Sequence, residues 1–285
     1  MTIPLRHFVF GLGFLLTGLA AGVSMAWGPT SGVPTVVHIH LFLAGWVCLT
    51  IMGAMTQFVP VWSGVELHSR RLATAQLWFV GVGVAGFAAS FLSNQFPLLI
   101  GFGGLMLLGF WTFIYNISRT LLQVETYDVT ESHFAIALGF FLLLTVLGLL
   151  LAVDLSQPLI QTTPLTRPNV VAAHATLAIY GAVLTTVLGA LYQLGTMFTQ
   201  TDLHGIDLSL RRLERLALPV GVVALALGRL LGLELIGRVG GLCVAGSLLG
   251  FSVILARRLY ETQVPWTPML SRYVVVAGSI ALWSL

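Results

Sequence analysis

The 285-residue chain has no lysine, two cysteines and only 8% charged residues. Soluble domains carry about 25% charged residues, so this chain has too little charge to cover a water-facing surface. Cys48 and Cys243 both fall inside apolar stretches. They read as inert core thiols, and two cysteines so placed imply no disulfide framework. The apolar runs are continuous and lack the alternation of period two that a lipid-facing barrel strand requires, which excludes a membrane β-barrel. What remains is 57% apolar residues and a mean hydropathy of +0.97. The fold class expected is all-α, a polytopic membrane helix bundle whose first partner is the lipid bilayer.

The apolar pattern predicts helices near residues 6 to 27, 36 to 62, 72 to 93, 97 to 119, 132 to 153, 169 to 198, 216 to 235 and 236 to 259, with a ninth beginning near 270. The first has Arg6 and a small-residue stretch, as a secretory signal does, but its apolar run is too long for one and it is read as retained. Assigning loops alternately puts Arg6, Arg70, Arg71, Arg119, Arg211, Arg212, Arg215, Arg257, Arg258 and Arg272 on one side, and Arg167, Arg229 and Arg238 on the other. That asymmetry predicts a cytoplasmic amino terminus in a cell inner membrane. The formal charge of +3 is therefore a topology signal and does not point to nucleic acid.

Histidine supplies the chemistry. His38 and His40 stand at the mouth of the second span, and imidazole there is a functional-site hypothesis because it is unwelcome in hydrocarbon and ligates metals and haem iron. At about 100° per residue, positions i and i+2 diverge by about 200°, so one helix would address two sides. The span from Val36 to Trp62 would be about 40 Å long against a core of about 30 Å, which leaves open an interfacial, water-satisfied reading of both.

The string His38-x2-Leu41-x3-Gly45-x-Val47-x2-Thr50-x2-Gly53-Ala54-x2-Gln57 recurs without a gap as His174-x2-Leu177-x3-Gly181-x-Val183-x2-Thr186-x2-Gly189-Ala190-x2-Gln193. His7-Phe8-x4-Gly13-Phe14 recurs as His133-Phe134-x4-Gly139-Phe140, and Arg70-Arg71-Leu72 as Arg211-Arg212-Leu213. The organisation expected is a first four-helix repeat over 1–125, a second over 126–262, and the start of a possible third over 263–285, where Arg272-Tyr273-x4-Gly278 renews the opening pattern. That last segment stops about 16 residues into a span needing about 20, which reads as a fragment or as a short helix completed by a partner. His7 and His133 are expected at the membrane surface, and His68 and His204 in solvated loops. Gln57 and Gln193 are expected buried and bonded to a neighbouring helix, with a quinone or proton-water contact as the alternative. Gly18-x3-Gly22 and Gly246-x3-Gly250 are expected to bring helices close. Gly45 and Gly181 are expected to make room for a flat macrocycle, with Trp46 deep enough to pack on it.

The string His38-Ile39-His40-x4-Gly45-Trp46-Val47-x5-Gly53-Ala54-x4-Val59-Pro60 resembles the tenth helix of the catalytic subunit, subunit I, of haem-copper oxidases. It is most similar to the C-family cytochrome c oxidases and nitric oxide reductases. That family is built of three four-helix arcs with the amino terminus inside. The resemblance implies haem b, with His38 in the place of the high-spin haem ligand, His40 in that of a low-spin haem ligand and His174 near the first copper ligand. It also implies electron transfer or chemistry on O2 or NO, an oxidoreductase if it holds, with respiratory-complex subunits or a second copy as partners.

The pattern then departs from the family. The seventh helix, Leu216 to Val223, has no histidine, Tyr180 is six residues after His174, and a tenth-helix motif sits in the second helix. One histidine without a further pair argues against copper. Haem A synthase, also duplicated, would need histidines in helices 4 and 8, and there are none. NnrS proteins are a nearer rival, sharing a histidine-bearing helix that ends in proline, here Val59-Pro60-Val61-Trp62. The remaining alternatives are a cofactor-poor accessory or assembly protein that keeps the fold and a repeat-built transporter, for which no intramembrane carboxylate is expected here.

Overall fold

The computed structural model of the chain describes residues 2–27 and 32–284, so Leu285 lies outside it. Among the described residues there is no strand, and nine long helices follow one another. They are α1 (Ile3–Trp27), α2 (32–63), α3 (Arg70–Leu92), α4 (Phe96–Leu121), α5 (Val129–Asp154), α6 (Arg167–Thr199), α7 (Ile206–Leu231), α8 (Glu234–Tyr260) and α9 (Pro268–Ser284). A 3-10 turn, Ile160–Thr162, precedes α6. All helices but α7 and α9 are long and apolar enough to cross a membrane, seven in number, and make this a multi-pass membrane protein. α9 has only 17 residues. The first turns of α7 carry Asp207, Arg211, Arg212, Glu214 and Arg215.

Those charges are the reason α7 differs from expectation. A cluster of arginines reads as a loop, yet here it is helical, and α7 begins ten residues before position 216. It ends at Gly232, whose φ of 69° is the left-handed conformation that closes a helix and that glycine adopts without a Cβ clash.

The chain packs as two compact units, Met1–Thr126 with Phe141–Pro164, and Tyr127–Phe140 with Leu165–Leu285. Each is described by itself. In the first unit α1 lies along α2, and α3 and α4 form a tight antiparallel pair. Added Cβ atoms at Gly83, Gly86 and Gly109 would collide with Met106, Phe102 and Val80, so small residues let these two helices touch. Ser69 caps α3 by accepting from Leu72 N at 3.2 Å. The buried Asn116 of α4 holds the same corner, accepting from Ser69 N at 2.9 Å and donating to Ser69 O at 3.0 Å.

In the second unit α7 and α8 pair along a glycine seam, where a Cβ at Gly221, Gly228 or Gly240 would strike the facing helix. α6 packs on α7, fixed by Arg229 Nη1 donating to Thr176 Oγ1 at 2.6 Å. α9 packs on α8. The pair Gly246 and Gly250 plays no such part: a Cβ at Gly246 meets nothing within 4 Å, and at Gly250 only Leu210 at 3.8 Å.

Both α2 and α6 are interrupted by an eight-residue π-helical stretch, Leu41–Cys48 and Leu177–Leu184. Residue 177 is 136 after 41, the same offset that relates His174 to His38, so the two stretches begin three residues after the matched histidines. The helix packing also matches. A Cβ on Gly45 would stand 2.7 Å from Phe14, and on Gly181 2.7 Å from Phe140. A Cβ on Gly53 would stand 2.6 Å from His7 Cβ, and on Gly189 2.6 Å from His133 Cβ. Gly45 and Gly181 therefore admit a phenylalanine ring of the preceding helix, which fills the space expected for a macrocycle.

Candidate functional site

His38 and His40 lie in the last turn of the segment Gly32–His40, immediately before the π-helical stretch. Such widened turns recur at functional sites because the missing i→i−4 bonds leave backbone groups and side chains re-aimed. The i, i+2 offset turns the two rings to different neighbours. His38 leans on α1, with Nδ1 2.8 Å from Gly18 O, and its ring would be struck by a Cβ on Gly22 at 2.8 Å. The Gly18-x3-Gly22 pattern thus seats an imidazole. His40 faces α3, its ring centroid 4.6 Å from that of Phe87, with Nδ1 2.8 Å from Val36 O.

A carbonyl oxygen only accepts, so Nδ1 carries the proton in both rings. In a neutral imidazole so held, Nε2 keeps the lone pair that ligates a metal, and the Nδ1–H to carbonyl bond fixes the ring's orientation. His174 holds the matching place in α6, partly buried at the end of Arg167–Thr176. Tyr180 is turned to another task, its ring 6.0 Å from Trp283 of α9. Trp46 packs against Gly11 of α1. Among the described residues no three His, Cys, Asp or Glu side chains gather as a metal-binding group, and His38 and His174 belong to different units.

The most concentrated polar chemistry is elsewhere, at residues first assigned to the surface. His7 and His133 are 0% and 1% exposed. His7 Nδ1 donates to Ile3 O at 2.9 Å, and its Nε2 is 3.3 Å from the amide nitrogen of the buried Gln76. His133 Nδ1 donates to Val129 O at 2.7 Å, and its Nε2 is 3.0 Å from Glu214 Oε1. Glu214 is 1% exposed, and its second oxygen accepts from the Tyr192 hydroxyl at 3.0 Å. The second unit therefore holds the buried carboxylate that was not expected. Gln57, expected to be buried, is exposed.

Close by in sequence, Asp207 (0% exposed) binds Arg257 Nε at 2.8 Å and Arg258 Nη2 at 2.7 Å. Arg258 Nη2 also reaches Glu261 Oε2 at 2.8 Å, and the more exposed His204 contacts that oxygen at 2.7 Å. The hydrogen bond from His204, with those from Arg258, holds the Glu261 carboxyl below the usual range. His68, in contrast, is exposed as expected, its backbone N–H donating to Thr120 Oγ1 and its ring edge-on to Tyr115 at 5.6 Å.

Glu214 carried a legible signal. Asp207, Glu214, Leu218, Gly221 and Leu225 follow helical spacing and are the buried face of α7, but the interleaved arginines mask it. No protein-family model and no curated protein matches this chain.

Proposed function

We propose that this chain is a haem-binding integral membrane protein of the haem-copper oxidase subunit I kind, serving electron transfer or the binding of a diatomic gas such as O2 or NO. The observation that carries the reading is the His38–Gly18 hydrogen bond, which commits Nδ1 to a carbonyl of another helix and leaves Nε2 as the ligating atom. The donor chemistry suits the group, although Phe14 and Phe140 fill the space at Gly45 and Gly181: His38 and His40 would hold haem b on two flanks of α2, and His174 is a candidate ligand within its own unit. Haem held there would supply a reversible iron couple and the chemistry to bind a gas. Copper is not part of the proposal, because a single α6 histidine cannot build a three-imidazole site. The inner membrane, a cytoplasmic amino terminus and partnership with respiratory subunits or a second copy belong to the same reading; the arginine asymmetry supports the orientation alone.

Reduced-minus-oxidised spectra of the purified protein test it. A haem b signal is expected, with His38→Ala and His40→Ala removing different components. Gly22→Ala, which pushes the His38 ring, should disturb only the His38 component. Identical spectra for wild type and the double histidine variant would eliminate the reading, and no signal after haem supplementation would favour the accessory or assembly protein.

A further inference from the structure

The second unit contains a feature that haem ligation at α2 does not use. His133 Nδ1–H is committed to Val129 O, so the 3.0 Å contact between His133 Nε2 and Glu214 Oε1 must itself contain a proton. An unprotonated Nε2 and a carboxylate oxygen would present lone pairs to each other. The pair is therefore imidazolium with carboxylate, or imidazole with carboxylic acid, and in both forms it is neutral overall and holds one proton. Removing that proton leaves a net negative charge in a site where both residues are about 1% exposed.

Tyr192 donates to the other oxygen of Glu214, and beside Tyr192 is a small cavity lined by Leu191, Gly195, Thr196, Phe251 and Arg258, with room for about one water. Arg258 Nε is buried and has no hydrogen-bond partner among the described residues. The rest of the Arg258 guanidinium belongs to the Asp207, Glu261 and His204 cluster, whose His204 side chain is 59% exposed. Buried pair, hydroxyl, cavity and surface cluster thus form a continuous series within one unit. The other charges facing it are Arg211 and Arg215 of α7.

We propose that His133 and Glu214 hold one exchangeable proton inside the second unit, and that it reaches bulk water through Tyr192, the cavity and the Arg258 cluster. In the loading step a water in the cavity gives a proton to Tyr192 Oη as the tyrosine hydroxyl proton passes to Glu214 Oε2. The tyrosine ends unchanged, and the hydroxide left in the cavity takes a proton from bulk water where the cavity meets the Arg258 cluster. Rotation of the carboxyl about Cγ–Cδ then presents the proton to His133 Nε2. One proton moves inward, the charge of the pair goes from minus one to zero, and no oxidant or reductant is required. The first unit has no such series: position 56, which matches 192, is threonine, and His7 meets an amide.

Hydrogen–deuterium exchange followed by infrared spectroscopy of the full chain in lipid vesicles tests the proposal. The band of the shared proton is the one lost in Glu214→Gln. Its deuteration should slow by about tenfold or more in Tyr192→Phe, a rate effect equivalent to about 1.4 kcal/mol of barrier. Gly195→Ala, whose Cβ would meet Leu255 at 3.2 Å at the cavity wall, leaves every titrating group in place and should slow it as well. It also keeps the test decisive if the tyrosine variant does not fold. Exchange as fast as wild type in the folded variants, or no band lost in Glu214→Gln, would overturn it. Because the readout needs no haem, its failure is separable from failure of the haem reading.

Discussion

His7 in α1 and His133 in α5 sit in matching places, each beneath a glycine of the next helix in its own unit and each bonded through Nδ1 to the carbonyl four residues earlier. What answers Nε2 differs. In the first unit it is the amide of Gln76, a neutral group. In the second it is the carboxylate of Glu214, supported by Tyr192. The same backbone device thus carries a neutral polar contact in one place and a proton-bearing pair in the other. A repeated helix arrangement fixes where a side chain can go, whereas a few substitutions on the facing helix decide what it does there.

The largest effect that breaks this comparison is expected from Glu214→Ala. It strands the His133 Nε2 and the Tyr192 hydroxyl in a buried site, and losing one partner of such a pair costs about 3–5 kcal/mol. Gln76→Ala strands only a neutral imidazole nitrogen and should cost about 1–3 kcal/mol. Denaturation midpoints of the two variants in one detergent check the order. Equal losses would mean that the pair in the second unit is no more than a neutral hydrogen bond.

This asymmetry was hidden in the sequence although the helices were not. Continuous apolar runs placed the spans, and the matched strings around His38 and His174 drew attention to α2 and α6. The divergence of His38 and His40 follows from helical geometry alone. Glu214 escaped because Arg211, Arg212 and Arg215 beside it look like a solvated loop, and only the tertiary packing shows that one face of α7 is buried while the arginines occupy the others. His7 and His133 escaped because a position near a helix end says nothing about whether a neighbouring helix covers it. The use of Gly45 and Gly181 was equally undetermined, since a missing Cβ states that something comes close without stating what. The π-helical stretches have no residue signature that sets them apart from the α-helical turns around them.

The matched glycines sharpen the comparison from the other side, because here the two units are expected to agree. Alanine at Gly45 or at Gly181 puts a Cβ 2.7 Å from a phenylalanine of the preceding helix, overpacking that should cost about 1–3 kcal/mol in either unit. Trimming the ring, Phe14→Leu for the first and Phe140→Leu for the second, should recover part of each loss. Stability measured on the single and paired variants checks this. A large cost in one unit and none in the other would show that only one interface relies on the glycine.

The smallest effect concerns how the two matching helices begin. α5 opens on a reciprocal cap: Asp128 Oδ1 accepts from the backbone N–H groups of Thr130 at 2.6 Å and Glu131 at 3.1 Å, while Glu131 Oε2 accepts from Asp128 N at 3.1 Å. In α1 the corresponding positions are Thr2 and Leu5, which cannot form it. Partial burial, together with the neighbouring Glu131 carboxyl, pushes the Asp128 carboxyl up to about 6. A carboxyl whose folded value is raised favours the folded state most when it is protonated. Its contribution is complete below the ordinary value of 3.8 and is lost as pH rises through about 6. Thermal unfolding followed by circular dichroism should therefore show a modest fall in midpoint across that window. Asp128→Asn keeps a side-chain acceptor for the cap and removes the titration, so it should flatten the fall. A wild-type minus Asp128→Asn difference that does not change with pH would remove Asp128 as the source of the pH response.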